Sequence, residues 1–171
     1  MSTQEYRAAV ITASNRAAAG VYEDRSGPII RAGLETLPGF RVEGPHVVAD
    51  GAPVAEALVR ALEERCDAAI TTGGTGLTPG DQTPEVTREL LAYEIPGIAE
   101  ALRAAGWNKG VASAVLSRGL AGVAERAGHR MLVINLPGSS GGVRDGMDVL
   151  RPILAHAIDQ MRGGDHPREQ N

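Results

Sequence analysis

Short apolar runs alternate along this chain with longer stretches whose apolar residues recur every three or four positions. The first run, Arg7–Ala13, reads AAVITA at its centre and predicts a strand. A helix is expected over Ser26–Leu37, with Ser26 as its cap and Pro28 in its first turn. Phe40–Ala49 reads as a second extended segment, interrupted by Gly44-Pro45. Pro53 opens a helix with Val54, Leu58, Ala61 and Leu62 on one stripe. Asp67–Thr72, DAAITT, predicts a third strand, and Thr83 caps the helix that begins with Pro84 and Glu85.

Further on, Pro96-Gly97 breaks the chain ahead of a short helix to about Ala105. Ala112–Leu116 is a candidate strand, and Met131–Asn135, MLVIN, a clear one. A last helix is expected over Val143–Met161. Strands alternating with helices predict an α/β fold, a mostly parallel sheet flanked by helices. No repeat, linker or low-complexity segment divides the pattern. One domain is therefore expected over residues 7–163, with polar tails at 1–6 and 164–171.

In open parallel sheets, ligands bind beyond the carboxyl ends of the strands. Three such ends are unusual here: Thr12-Ala13-Ser14-Asn15-Arg16, then Thr72-Gly73-Gly74-Thr75-Gly76, then Asn135-Leu136-Pro137-Gly138-Ser139-Ser140-Gly141-Gly142. In the middle loop, glycines let the backbone approach a ligand and aim several N–H groups at one anion, while Thr72 and Thr75 add hydroxyls. The helix start just downstream adds free donors. The set suits a phosphate or pyrophosphate. It is not a Walker A loop, because the only lysine is Lys109, after Asn108. It is not a Rossmann fingerprint, because Pro79 stands where the third glycine is needed, which disfavours a dinucleotide-dependent oxidoreductase.

Asp81 sits between the glycine loop and a helix start, and Asp50 ends the second extended segment. Each has a plain reading, as helix-dipole or turn residue. Together they could hold Mg²⁺ against phosphate oxygens. Glu85 reads as a dipole-complementing residue. Gly138–Gly142 matches the G-x-S-x-G nucleophile elbow, but only one helix and a tail follow, so the acid and histidine of a hydrolase have no later strand end. Asn135–Ser139 is better read as a second ligand turn, with Asn135 donating hydrogen bonds and Ser139 touching phosphate or base. His46, His129, His156 and His166 show no metal-ligand spacing and read as structural or surface residues.

Composition narrows the partners. A net charge of −4 and 3% aromatic residues over 171 positions argue against a nucleic-acid surface. The single cysteine, Cys66, excludes an internal disulfide and reads as a partly buried small apolar residue. No stretch is long and apolar enough to span a membrane, and Met1–Tyr6 lacks the apolar core of a signal peptide. The expected compartment is the cytoplasm.

TTGGTG, then D-x-T-P-E at Asp81–Glu85, I-P-G at Ile95–Gly97, L-S-R at Leu116–Arg118 and N-L-P-G-S at Asn135–Ser139 occur in the order and spacing of one family. On these motifs the chain resembles the Mog/MoaB family of molybdopterin adenylyltransferases and their relatives, over about Arg7–Gly163, and looks most like its actinobacterial Mog members. The resemblance implies an α/β trimer that binds molybdopterin and ATP, uses Mg²⁺ and releases pyrophosphate. Other molybdenum-cofactor enzymes are candidate partners, and a molybdopterin-binding protein without turnover is the alternative. Carried over, Asp50 and Asp81 match the two essential aspartates. Gly73–Gly76 match the phosphate loop, and Thr72 and Thr83 beside them are candidate substrate contacts. Ser14 matches the first-loop serine. Ser117, Asn135, Pro137, Gly138 and Ser139 match pterin and nucleotide contacts. Many members read S-D-R where this chain reads Ser14-Asn15-Arg16, which removes an acidic role at that position.

Overall fold

The computed structural model describes residues 4–164, so the calls on residues 1–3, on 165–171 and on His166 lie outside the described residues. Within them the elements are β1 (Tyr6–Ala13), α1 (Asn15–Ala18), α2 (Ser26–Glu35), β2 (Phe40–Val48), α3 (Ala52–Glu63), β3 (Ala68–Thr72), α4 (Thr83–Leu90) and β4 (Leu91–Glu94). They continue with α5 (Pro96–Asn108), a 3₁₀ turn (Ala112–Leu116), β5 (Ala121–Arg126), β6 (His129–Leu136), α6 (Ser140–Leu150) and α7 (Leu154–Met161).

One six-stranded sheet has the order β2-β1-β3-β6-β5-β4. The first four strands are parallel; β5 runs antiparallel to β6, and β4 antiparallel to β5. Alternation along the strands feeds two cores. Ala8, Val10, Ile70, Leu132 and Ile134 meet α2, α5, α6 and α7 through Ile30, Leu34, Ile98, Met147, Leu150 and Ile158. Ala9, Ile11, Ala69, Met131 and Val133 meet α3 through Val54, Leu58 and Leu62. Because both faces are covered, the central strands read as almost continuous apolar runs. The chain moves to one side of β1 to form β2 and crosses to the other side for β3. The carboxyl ends of β1 and β3 therefore flank the switch point where α/β sheets bind ligands.

Several expectations are corrected. Ala112–Leu116 is a 3₁₀ turn, not a strand. The last helix is two helices: α6 ends at Leu150 and α7 starts at Leu154, because Pro152 has no N–H to continue the ladder. Ser26 does not cap α2; the Asp24 carboxylate accepts the N–H groups of Ser26 (3.1 Å) and Gly27 (3.0 Å) instead. Strands β4 and β5 are not marked by the apolar pattern of the sequence. The β5–β6 hairpin turns on Ala127-Gly128, both at positive φ, without the Asn-Gly pair that usually marks such a turn. Cys66 is fully buried rather than partly so, and burial pushes its thiol up to about 11.

Candidate functional site

The loops that leave β1, β3 and β6 converge and are tied to one another. The Thr72 hydroxyl donates to the Pro137 carbonyl at 2.7 Å, and the Ser26 hydroxyl donates to the Gly138 carbonyl at 2.8 Å. The Gly73 N–H donates to the Leu136 carbonyl. Gly73 has φ +90°, and any Cβ on it would strike the Ala13 carbonyl; a Cβ on Gly138 would come within 3.3 Å of Gly73 Cα. These glycines therefore let three backbones pack at van der Waals distance. The N–H groups of Gly74, Thr75 and Gly76 find no protein acceptor among the described residues. These three residues line the same cleft as the start of α6, which is capped by Ser139, whose hydroxyl accepts the Gly142 N–H at 3.1 Å. Backbone N–H groups of the glycine loop and of a helix start thus border one cleft, an arrangement suited to anionic oxygen.

The two aspartates lie on either side of the glycine loop. Asp50 stands behind Gly74: a Cβ on Gly74 would collide with Asp50 Oδ2 and Thr83 Oγ1. Its Oδ1 accepts the Gly51 N–H at 2.7 Å and the Thr83 hydroxyl at 2.9 Å, and its Oδ2 accepts the Gln82 N–H at 3.1 Å. Asn15 Oδ1 accepts the Asp50 N–H at 3.0 Å. Position 15 thus serves as an acceptor that orients Asp50, a role the uncharged amide fills. Asp81 stands beside Gly76, whose Cβ would lie 2.7 Å from Asp81 Oδ2. That one oxygen accepts both the N–H (3.1 Å) and the hydroxyl (2.7 Å) of Thr78.

A cleft of about 730 Å³ opens from this loop. Of the expected site residues, Gly74, Thr75, Gly76, Asp81, Ser117, Asn135, Pro137, Gly138 and Ser139 line it. Ser14, Asp50, Thr72, Gly73 and Thr83 do not line it. Ser14 caps α1 by accepting the Ala17 N–H at 3.2 Å. Asn135 borders the cleft, but its amide is turned into a buried network: it donates to Thr71 and Thr87 hydroxyls and accepts the Leu120 N–H. Its role in the free protein is to fix the β6 end, not to offer a spare donor. A second cavity, about 690 Å³ and lined by Arg7, Asp67 and Arg162, lies at the far end of the strands, away from these loops.

Arg118 had no assigned role in the sequence. Its guanidinium donates to the carbonyls of Gly76 (2.8 Å) and Asp81 (2.9 Å) and pairs with Glu85, while its own N–H meets the Thr75 carbonyl. It braces the glycine loop against the Asp81 turn. Its hydrogen bond holds the Glu85 carboxyl below its usual range. The L-S-R motif was the only signal pointing to it.

A family model described as "Probable molybdopterin binding domain" matches residues 9–156. The chain belongs to this family. Within the molybdopterin-binding domain family it is 36% identical over 157 residues to a molybdopterin adenylyltransferase of Helicobacter pylori, covering 90% of this chain and 86% of that one. It is 40% identical over 163 residues to a molybdenum cofactor biosynthesis bifunctional protein of Synechococcus elongatus, where it spans 48% of that relative's length. The structure of the molybdopterin biosynthesis Mog protein from Mycobacterium ulcerans superposes with a TM-score of 0.85 at 49% identity, covering 94% of this chain and 99% of that one. The α/β fold of this chain is shared with that structure. No helix among the described residues is long and apolar enough to cross a membrane.

Proposed function

We propose that this chain is a molybdopterin adenylyltransferase of molybdenum cofactor biosynthesis, transferring AMP from ATP to the terminal phosphate of molybdopterin. The observation that carries this reading is one cleft lined by both the start of α6 and Gly74–Gly76, whose N–H groups have no acceptor among the described residues, with Asp50 and Asp81 flanking the loop. In the reaction an oxygen of the molybdopterin phosphate forms a bond to the α-phosphorus of ATP. The bond from that phosphorus to the bridging oxygen breaks, and pyrophosphate leaves with its electron pair. No protein nucleophile is needed. The chain's contribution is positioning and electrostatic, with backbone donors holding phosphate oxygens in line.

Two carboxylates beside one anion site repel it unless a cation intervenes. No group of three or more His, Cys, Asp or Glu residues is placed to hold a metal ion among the described residues. A donor set of Asp50 and Asp81 fits Mg²⁺, which takes one or two carboxylates and completes its shell with phosphate oxygens and water. When bound there, Mg²⁺ would offset charge on the triphosphate and the attacking phosphate. Asp50 already accepts three protein hydrogen bonds, so its oxygens suit contact through water better than direct ligation.

Ser117, Pro137, Gly138 and Ser139 contact substrate from the cleft wall in this reading, while Ser14, Thr72, Gly73, Thr83 and Asn135 shape the loops from behind. We also infer a cytoplasmic homotrimer; light scattering at micromolar concentration should return three times the chain mass. The function itself is tested by incubating the protein with ATP, Mg²⁺ and molybdopterin. Adenylyl-molybdopterin and pyrophosphate in equal amounts support the reading. Molybdopterin binding without pyrophosphate release replaces it with a binding role.

A further inference from the structure

The charged groups of the cleft are unequally free. Asp81 belongs to the glycine-loop wall. Arg103 is occupied: its Nη1 donates to the carbonyls of Ser117 (3.2 Å) and Gly119 (3.3 Å). Asp145 lines the cleft from α6, on the side facing α5, where Lys109 Nζ donates to its Oδ1 at 2.5 Å. Its side chain is 18% exposed, against 55% for Lys109, so the lysine sits on the solvent side of the pair. No second donor reaches the Asp145 carboxylate among the described residues. Beside it the wall is apolar, formed by Ala99, Leu102, Val111, Ala114 and Leu116. A ligand with a phosphate on the glycine loop therefore meets greasy walls for a flat ring and a carboxylate beside them.

We propose that Asp145 reads the ring edge of the pterin substrate, accepting two hydrogen bonds from its 2-amino group and the adjacent ring N–H. This rests on the reading of the cleft as a molybdopterin site. An ionised carboxylate only accepts hydrogen bonds, and its two oxygens match two adjacent donors in a bidentate pair. The 2-amino-4-oxo edge of a pterin presents such donors. Adenine presents a donor next to an acceptor on each edge, so one carboxylate oxygen would face a lone pair. Asp145 thus discriminates between the two substrates of a site that must not confuse them. Lys109 holds the carboxylate turned through its hydrogen bond; an oxygen with two lone pairs can serve the lysine and the ring together.

The test uses the full chain and the variants Asp145→Asn, Asp145→Ala and Lys109→Met. Affinities for molybdopterin and for ATP are measured by titration, with 6-hydroxymethylpterin and its 2-oxo analogue as competitors. Thermal midpoints confirm folding. The wild type should be displaced more readily by the pterin than by the 2-oxo ring. Asp145→Asn and Asp145→Ala should weaken molybdopterin about ten- to a hundredfold, the range for losing a hydrogen bond to a charged group. They should leave ATP affinity within about twofold and abolish the preference between the two rings. Lys109→Met should keep that preference. Equal competition by both rings in the wild type overturns the assignment. So does a fall in ATP affinity with molybdopterin binding unchanged. Ring discrimination that depends on Asp145, without pyrophosphate release, removes the adenylyl-transfer reading and leaves this assignment standing. A wild type that binds no molybdopterin removes both.

Discussion

Asp50→Asn and Asp81→Asn delete the same charge but not the same hydrogen bonds. Asp50 uses both oxygens to accept from Gly51, Gln82 and Thr83. An asparagine there must turn its NH₂ toward at least one backbone N–H, which forfeits a charge-assisted bond worth about 1.5–3 kcal/mol. In a chain of this size each kcal/mol moves the melting midpoint by about 2–4 °C, so Asp50→Asn should melt roughly 3–12 °C lower. Asp81 spends a single oxygen on both Thr78 donors. Asparagine can keep those bonds with its carbonyl and leave its NH₂ outward, so the midpoint should stay within about 2 °C. Turnover should fall in both variants by about 10²–10³, the scale for one preorganised electrostatic group. The double variant should be little slower than either single one, since groups acting as a unit are not additive. Calorimetry gives the midpoints, pyrophosphate release gives turnover, and titration gives molybdopterin affinity, which Asp81→Asn should retain. Normal pyrophosphate release by Asp81→Asn, or equal melting losses in the two variants, would refute the division of labour argued here.

Arg118→Lys keeps the charge but offers a point donor that cannot span Gly76, Asp81 and Glu85; stability should fall by about 1–3 kcal/mol, read by urea unfolding, with turnover per folded molecule also reduced. Gly74→Ala places a Cβ against Asp50 and Thr83 at φ +66°, so it should melt lower regardless of ligand, whereas Gly141→Ala, with nothing within 4 Å, should gain about 0.5–1 kcal/mol. Cys66 should resist thiol reagents until the chain unfolds. Its thiol holds its proton to about 11 in the fold, against an ordinary 9.0. Below pH 9 both states are protonated and this contribution is complete. Between 9 and 11 only the unfolded chain ionises, so stability should fall by up to about 1.4 kcal/mol per pH unit there, and Cys66→Ala should remove that slope.

The parallel half of the sheet was legible because burial on both faces leaves long apolar runs, and the helices beside it carry single apolar stripes. The antiparallel edge was not. Strand β5, AGVAER, is short and rich in Ala and Gly, and β4 follows α4 without an intervening turn, so neither breaks the local pattern. Pro152 did carry a legible signal for the break between α6 and α7. At the site, the glycine loop and both aspartates stand out by residue type and position. What each side chain bonds did not. Asn135 resembles a ligand donor in sequence, but its direction is set by Thr71, Thr87 and Leu120, which are far from it along the chain or unremarkable in type. Arg118 and Asp145 sit in ordinary helix or loop composition, and only the meeting of distant segments gives them a role.

The stitching of loops across strand ends bears on how such a site can be moved or altered. Thr72 is fastened to Pro137, Ser26 to Gly138, Asn15 to Asp50, and Arg118 to Gly76 and Asp81, so each segment is held by another's backbone. A glycine loop transplanted alone onto another sheet would arrive without the partners that shape it. Within this lineage, a change in one segment that shifts its carbonyls must be matched in a second. The heritable unit is the set of segments together, however short each one is.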